Sequence, residues 1–205
     1  MKKVIFFFCF LTFINPCVQG RELKSKFMFV VKAGTAYPHL EHTNRATFFG
    51  SQIDYFVSDQ VSIGLDLKYM EYYEIIYYAV PLYLGAPDDY RNKWDWYSLG
   101  VSGKFLSGSK GLSPFIKLGA GFYIPQVHHP ITRWLQDGSS SYKEKVTGEI
   151  SPGFNMGAGL QYIVWKRFSL QIEGSVDYIF NKSKNLSATQ SFTFANLSAG
   201  ISIIL

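Results

Sequence analysis

Hydrophobic and polar residues alternate with a period of two over most of this chain. The longest uninterrupted case is Pro152 to Phe180, PGFNMGAGLQYIVWKRFSLQIEGSVDYIF. Phe154, Met156, Ala158, Leu160, Tyr162 and Val164 share one phase, against Asn155, Gly157, Gly159 and Gln161. After Trp165-Lys166-Arg167 the alternation resumes. Phe168, Leu170, Ile172, Val176 and Tyr178 take one face, and Ser169, Gln171, Glu173, Ser175 and Asp177 the other. Two such runs with a tight connection predict a β-hairpin. Each strand is about 11 to 13 residues, against roughly 5 to 6 in globular proteins. That length suits a bilayer, which needs about 9 to 11 tilted residues.

The same pattern predicts six more strands: Phe27 to Tyr37, Thr47 to Val57, Val61 to Met70, Trp94 to Leu106, Pro114 to Ile124, and a last strand ending at Leu205. The connections alternate in length. Short turns fall at Ser58–Gln60, Ser107–Leu112 and Trp165–Arg167, and loops at Pro38–Arg45, Glu71–Lys93, Gln126–Glu149 and Asn181–Gln190. Eight strands connected in this way predict an all-β, antiparallel, up-and-down transmembrane barrel with every short turn and both termini at one end.

Composition then decides which face is outside. The polar phase is rich in glycine (Gly34, Gly64, Gly100, Gly119, Gly157 and Gly200 among others), where a solvent face would prefer Thr, Lys or Glu. It also carries Lys32, Asp54, Asp66, Lys68, Lys104, Lys117, Glu173 and Asp177, four charges of each sign. A buried charge without a partner is costly, so a balanced set predicts a paired network inside a narrow lumen. Aromatics make up 18% of the chain. On the apolar phase, Tyr55, Phe105, Phe115, Tyr162 and Phe168 lie toward the turns, and Tyr37, Tyr69, Tyr97 and Tyr178 toward the loops. Two aromatic girdles are expected at the two boundaries of a bilayer, so the apolar phase is predicted to face lipid rather than the core of a soluble lipocalin-like barrel. Trp94 and Trp96 fall on the lumen phase and are predicted to cap the network.

Residues 1–20 read as a secretory signal peptide. Lys2-Lys3 is a basic start, Val4 to Ile14 an apolar core, and Val18-Gln19-Gly20 an acceptable approach to a cut before Arg21. The remainder, 21–205, is one barrel domain. Cys9 and Cys17 leave with the leader, so the mature chain has no thiol or disulfide chemistry; a lipidated Cys17 is the lesser reading. Removing Lys2 and Lys3 takes the formal charge from +5 to +3, too mild a balance for a nucleic-acid partner.

These features together resemble the small outer-membrane β-barrel family, whose members include OmpX-, Ail- and OmpA-barrel-like proteins. SPFIKLGAGFYIP and PGFNMGAGLQYIVW carry the likeness, which spans about Phe27 to Leu205. It implies a monomer in the bacterial outer membrane with both termini periplasmic. Its partners would be membrane lipid, the barrel-assembly machinery and an extracellular ligand met through the loops. Family members usually end in an aromatic, where this chain has Leu205.

Catalytic and metal signals are weak. His39, His42, His128 and His129 lie in predicted loops, and Asp137, Ser139–Ser141 and His128 could imitate a hydrolase set. Spacing alone supports neither a metal site nor a triad, and no cofactor is implied. The Tyr-rich second loop is the more informative stretch. Tyr72, Tyr73, Tyr77, Tyr78 and Tyr83, with Trp134 in the third loop, are candidate surface contacts. Surface binding, adhesion or envelope integrity is the expected role. A narrow transport channel is the alternative, with a loop-based hydrolase behind it.

Overall fold

A computed structural model of the chain describes residues 22–39, 45–75, 91–108, 111–135, 138–165, 167–180 and 191–205. It contains nine strands: β1 Phe27–Pro38, β2 Ala46–Phe56, β3 Val61–Ile75, β4 Arg91–Leu106, β5 Leu112–Leu135, β6 Gly138–Thr147, β7 Ser151–Ile163, β8 Phe168–Ile179 and β9 Phe192–Ile204. Every pairing between them is antiparallel. Eight strands close a ring in which each of β1 to β4 pairs with the next. β7 follows β5, and β8 and β9 follow in turn. The β1–β9 ladder, with Lys32 opposite Gly200 and Thr35 opposite Leu197, seals it. A closed ring leaves no exposed edge among these eight strands at the level of the bilayer.

The ninth strand is unexpected. Residues 126–147, read above as a loop, form a hairpin in which β5 runs on past β7 and pairs with β6, from Gln126–Thr147 to Leu135–Gly138. Pro130 lies within this longer strand, where a proline is tolerated only at an edge. Here it lies beyond the last β4 partner, the Lys93–His128 pair. Among the described residues β5 has, at that height, a neighbour only on its β6 side. Strands β3 and β4 are also longer than predicted and stay paired up to Ile75–Arg91. The result is a four-stranded extension, β3 to β6, that rises beyond the ring on one side.

Side chains follow the period of two. In β1 the pattern of exposed and buried residues alternates strictly from Phe27 to Lys32. The outward set is apolar, including Ile63, Leu65, Val101, Ile116, Leu118, Ile172 and Ile201, each more than half exposed. The inward set holds the lysines and carboxylates. Outward rings mark both ends, with Tyr55, Phe105, Tyr162 and Phe168 at the turn end and Tyr37 and Tyr97 at the loop end. Phe115 departs from the expected girdle. It has the opposite parity to Ile116, pairs with Leu106 in register, and is buried in the lumen at 3% exposure. Its ring fits because Gly159 stands across from it; a methyl group built there would lie 2.6 Å from Phe115 Cζ.

Candidate functional site

Along the lumen the inward side chains fall into three layers, and strand register explains the order. Reading β1 upward from the turns, Met28 and Val30 come first, then Lys32, then Ala36. Reading β2 in the same direction gives Phe56, then Asp54 and Gln52, then Phe48. The lowest layer is an apolar cluster of Leu23, Met28, Val30, Phe56, Leu106, Phe115 and Ile204.

The middle layer is ionic. Lys32 Nζ lies 3.1 Å from Glu173 Oε2, and Lys117 Nζ lies 3.4 Å from Glu173 Oε1 and 3.0 Å from Asp66 Oδ1. Ser102 donates to the other oxygen of Asp66. Lys68 Nζ pairs with Asp177 Oδ2 at 2.6 Å, and that carboxylate also accepts from Tyr123 and Asn196. Lys104 donates to Gln161 and Gln171 at 2.8 and 3.3 Å and stands 4.0 Å from Asp54. It also sits 4.3 Å above the Phe115 ring, a cation–π contact that links the middle layer to the lowest. All eight charges are thus brought together across the barrel from six strands, although Asp54 and Lys104 form the loosest pair.

The uppermost layer is aromatic. Trp94 and Trp96 stack at 12°, Tyr72 lies parallel to Trp94 at 5°, and Phe192 and Phe194 close against the indoles edge-on or tilted. Phe48, Met70, Tyr123, Val127 and Ile179 belong to the same cluster, with Ala36 and Ala46. Tyr72 is therefore not a surface contact. At 1% exposure it belongs to the lumen, because β3 continues to Ile75 and keeps Tyr72 on the inward phase of Met70. Tyr73, one residue on, points outward at 40% exposure. Tyr77, Tyr78 and Tyr83 lie outside the described residues. Trp134 sits on the β5–β6 hairpin opposite Ser139.

Just above the loop-end girdle, the outward face of β3 to β5 carries a polar cluster. Asp95 meets His128 Nε2 at 3.0 Å through Oδ2, and Tyr69 Oη at 2.7 Å and Lys93 Nζ at 3.4 Å through Oδ1. Glu71 pairs with Lys93 at 3.0 Å and accepts from Tyr73 at 3.0 Å. His128 is thus turned toward an acid on the barrel wall. Of the hydrolase set, Asp137 is outside the described residues, and Ser139–Ser141 lie on β6. Among the described residues no group of His, Cys, Asp and Glu is arranged to hold a metal ion; His42 lies outside them, and His39 ends β1's ladder with a backbone bond to Thr193.

No family model matches the sequence, and no curated protein matches it. Solved structures do. The chain is similar to Neisserial surface protein A, with 18% identity over 86% of this chain and 96% of that one, at a TM-score of 0.56. It is also similar to a major outer membrane protein of Thermus thermophilus (12% identity, 87% and 99% covered, TM-score 0.49) and to OprG of Pseudomonas aeruginosa (10%, 92% and 99%, 0.48). The fold is that of the small eight-stranded outer-membrane β-barrels.

A barrel of eight strands has an interior about wide enough for side chains to fill, and the inward side chains described here stand in three layers. Sequence reasoning located the charges and the two tryptophans but missed Phe48, Phe115, Tyr123, Phe192 and Phe194. The missed signal was parity. Phe192 and Phe194 share a phase with Asn196 and Ser198, and Phe48 with Gly50 and Gln52.

Proposed function

We propose that this protein resides in the bacterial outer membrane as a monomer with a closed lumen, and that it works through its loop-end surface, in surface binding, adhesion or envelope integrity, without catalysis. In this reading residues 1–20 are the removed leader, and the turn end and both termini face the periplasm. The observation that carries the proposal is the stacking of an apolar, an ionic and an aromatic layer in one narrow barrel. Such a stack stabilises the wall and leaves the β3–β6 extension, standing above the ring, as the part available to a partner. An extended sheet with polar groups along its base suits recognition of another surface better than passage of a solute.

Single-channel recording of the purified barrel in a planar bilayer tests the closed lumen, and the expected record is silent. A stable unit conductance would move the protein to narrow transport. Replacing residues 129–144 by a short turn tests the surface role. The barrel is expected to assemble while cell-surface binding falls; unchanged binding with normal assembly would remove the hairpin from the function.

A further inference from the structure

The lowest lumen layer contains one residue that belongs to no strand. Leu23 lies four residues before β1, yet it is fully buried among Met28, Val30, Phe56, Leu106, Phe115 and Ile204. The chain reaches that position by reversing on itself. Lys26 N donates to Leu23 O at 3.0 Å, which closes a four-residue turn, and Ser25 at its third position has φ +62°. A positive φ at that position is the mark of a type II turn, which favours glycine. Serine there is strained, so the turn must be held from outside.

Two sets of bonds hold it. The Leu23 and Lys24 amides both donate to Asp59 Oδ1, at 2.7 and 3.0 Å, from a carboxylate at the β2–β3 turn. Ser25 N donates to Phe56 O at 2.8 Å, and Phe56 N to Lys26 O at 2.9 Å. Only the second set extends the sheet. The segment ahead of it, residues 22–24, is tied to the barrel by one half-buried carboxylate and one buried side chain. That is much less than the ten or more paired residues joining β1 to each neighbour. Segments with few bonds and few buried contacts open on their own, well below the free energy of global unfolding.

We propose that residues 22–25 form a detachable plug for the turn-end mouth of the lumen, with Leu23 as the stopper and Asp59 as the latch. Releasing the latch withdraws Leu23 and exposes the lowest lumen layer while the eight-stranded ring stays closed. The mouth is thus shut by the segment that leads into β1, and the same site can be opened without dismantling the wall. The proposal depends on the geometry of the turn end alone, so it stands whether or not the loop-end reading does.

The test uses the protein from Arg21 to Leu205, whose sequence has no cysteine. Leu23→Cys and Glu22→Cys are made separately, refolded in detergent, and reacted with a maleimide. The heat-dependent shift of the folded band on a gel reports the ring. Leu23→Cys is expected to react at least about tenfold more slowly than Glu22→Cys. Adding Asp59→Ala should bring it to within about twofold of Glu22→Cys with the band shift retained, whereas Ser25→Gly should slow it further by relieving the turn. Equal rates for the two single cysteines would overturn the proposal, as would protection that survives Asp59→Ala. Loss of the band shift in Asp59→Ala would also overturn it, because the latch would then be part of the ring's own fold. An independent check reads Met28→Cys, directly behind the stopper. It should be protected with Leu23 present and labelled with Leu23→Asp, again in a folded ring.

Discussion

Replacing Glu173 by glutamine should be among the most damaging conservative changes in the chain. Its carboxylate is 2% exposed as a residue and bridges Lys32 at 3.1 Å and Lys117 at 3.4 Å. At an effective dielectric of about 20, each contact is worth roughly 5 kcal/mol of gross attraction. Desolvating the carboxylate offsets much of that, so the intact bridge contributes far less than the sum. The asymmetry appears on removal. Lys117 keeps Asp66 at 3.0 Å, but Lys32 is left with Asp66 at 3.9 Å and Gln52 at 3.5 Å. The eight charges then sum to +1 in a buried interior. Breaking a buried pair from one side costs about 3 to 5 kcal/mol, and glutamine retains an acceptor, which points to the lower end, about 3 kcal/mol. The assay is a reversible urea titration of the barrel folding into short-chain lipid vesicles, followed by tryptophan fluorescence. The double variant Lys32→Met with Glu173→Leu removes both partners and should recover at least about 1 kcal/mol relative to the sum of the single changes. If Glu173→Gln lies within about 0.5 kcal/mol of the parent, the lumen charges are hydrated and the layered reading of the interior is wrong.

The two classes of glycine should separate in the same titration. A methyl group on Gly121 would lie 2.6 Å from Leu99 O and 2.8 Å from Gly100 Cα, whereas one on Gly103 meets nothing within 4 Å; Gly121→Ala should cost about 1 to 3 kcal/mol and Gly103→Ala should stay within about 0.5 kcal/mol. The latch at the turn end carries a pH signature. The Lys24 and Leu23 amides hold the Asp59 carboxyl below its ordinary value, so its contribution is complete above the usual aspartate range and lost as pH falls through the lowered one. Protection of the Leu23 and Lys24 amides, taken as exchange relative to an unstructured peptide at the same pH, should hold down to about pH 4 and fall below it, and should show no such step in Asp59→Ala.

Most of the ring was legible because one signal, the period of two, is imposed by the same geometry on every strand. Where it failed, a second signal had been allowed to overrule it. Strand five, expected to end at Ile124, continues to Leu135, and the ring of Tyr72 suggests a surface where its position, two residues past Met70, is inward. Phe115 was assigned to a girdle by its chemistry although its parity places it inside. In this barrel residue type is a poor guide to facing, since both lipid and lumen accept aromatics. The charges were a different case. Their number, balance and phase could be read directly, but not who pairs with whom. Lys32 and Glu173 are 141 positions apart, and their meeting is fixed by the register of every ladder between them.

The order of the layers bears on what the protein can do. Charges in mid-bilayer are tolerated when paired and kept from water, and here apolar side chains lie above and below them. Opening a continuous path would require parting at least the Lys32–Glu173 and Lys117–Asp66 contacts. At roughly 5 kcal/mol of gross attraction each, that is on the order of 10 kcal/mol before either apolar layer is disturbed. Rehydration of the parted charges offsets much of that attraction, so the net cost is smaller, with the displacement of the apolar layers added to it. A ligand could shift the balance only by binding the open form more tightly by a similar amount. Voltage is a weak lever as well, because one elementary charge gains only about 2.3 kcal/mol per 100 mV and the eight lumen charges cancel. A chain selected for conduction would leave one sign in excess along a wet path. This one balances its charges and sets them between two apolar layers, which supports the proposed closed lumen over narrow transport.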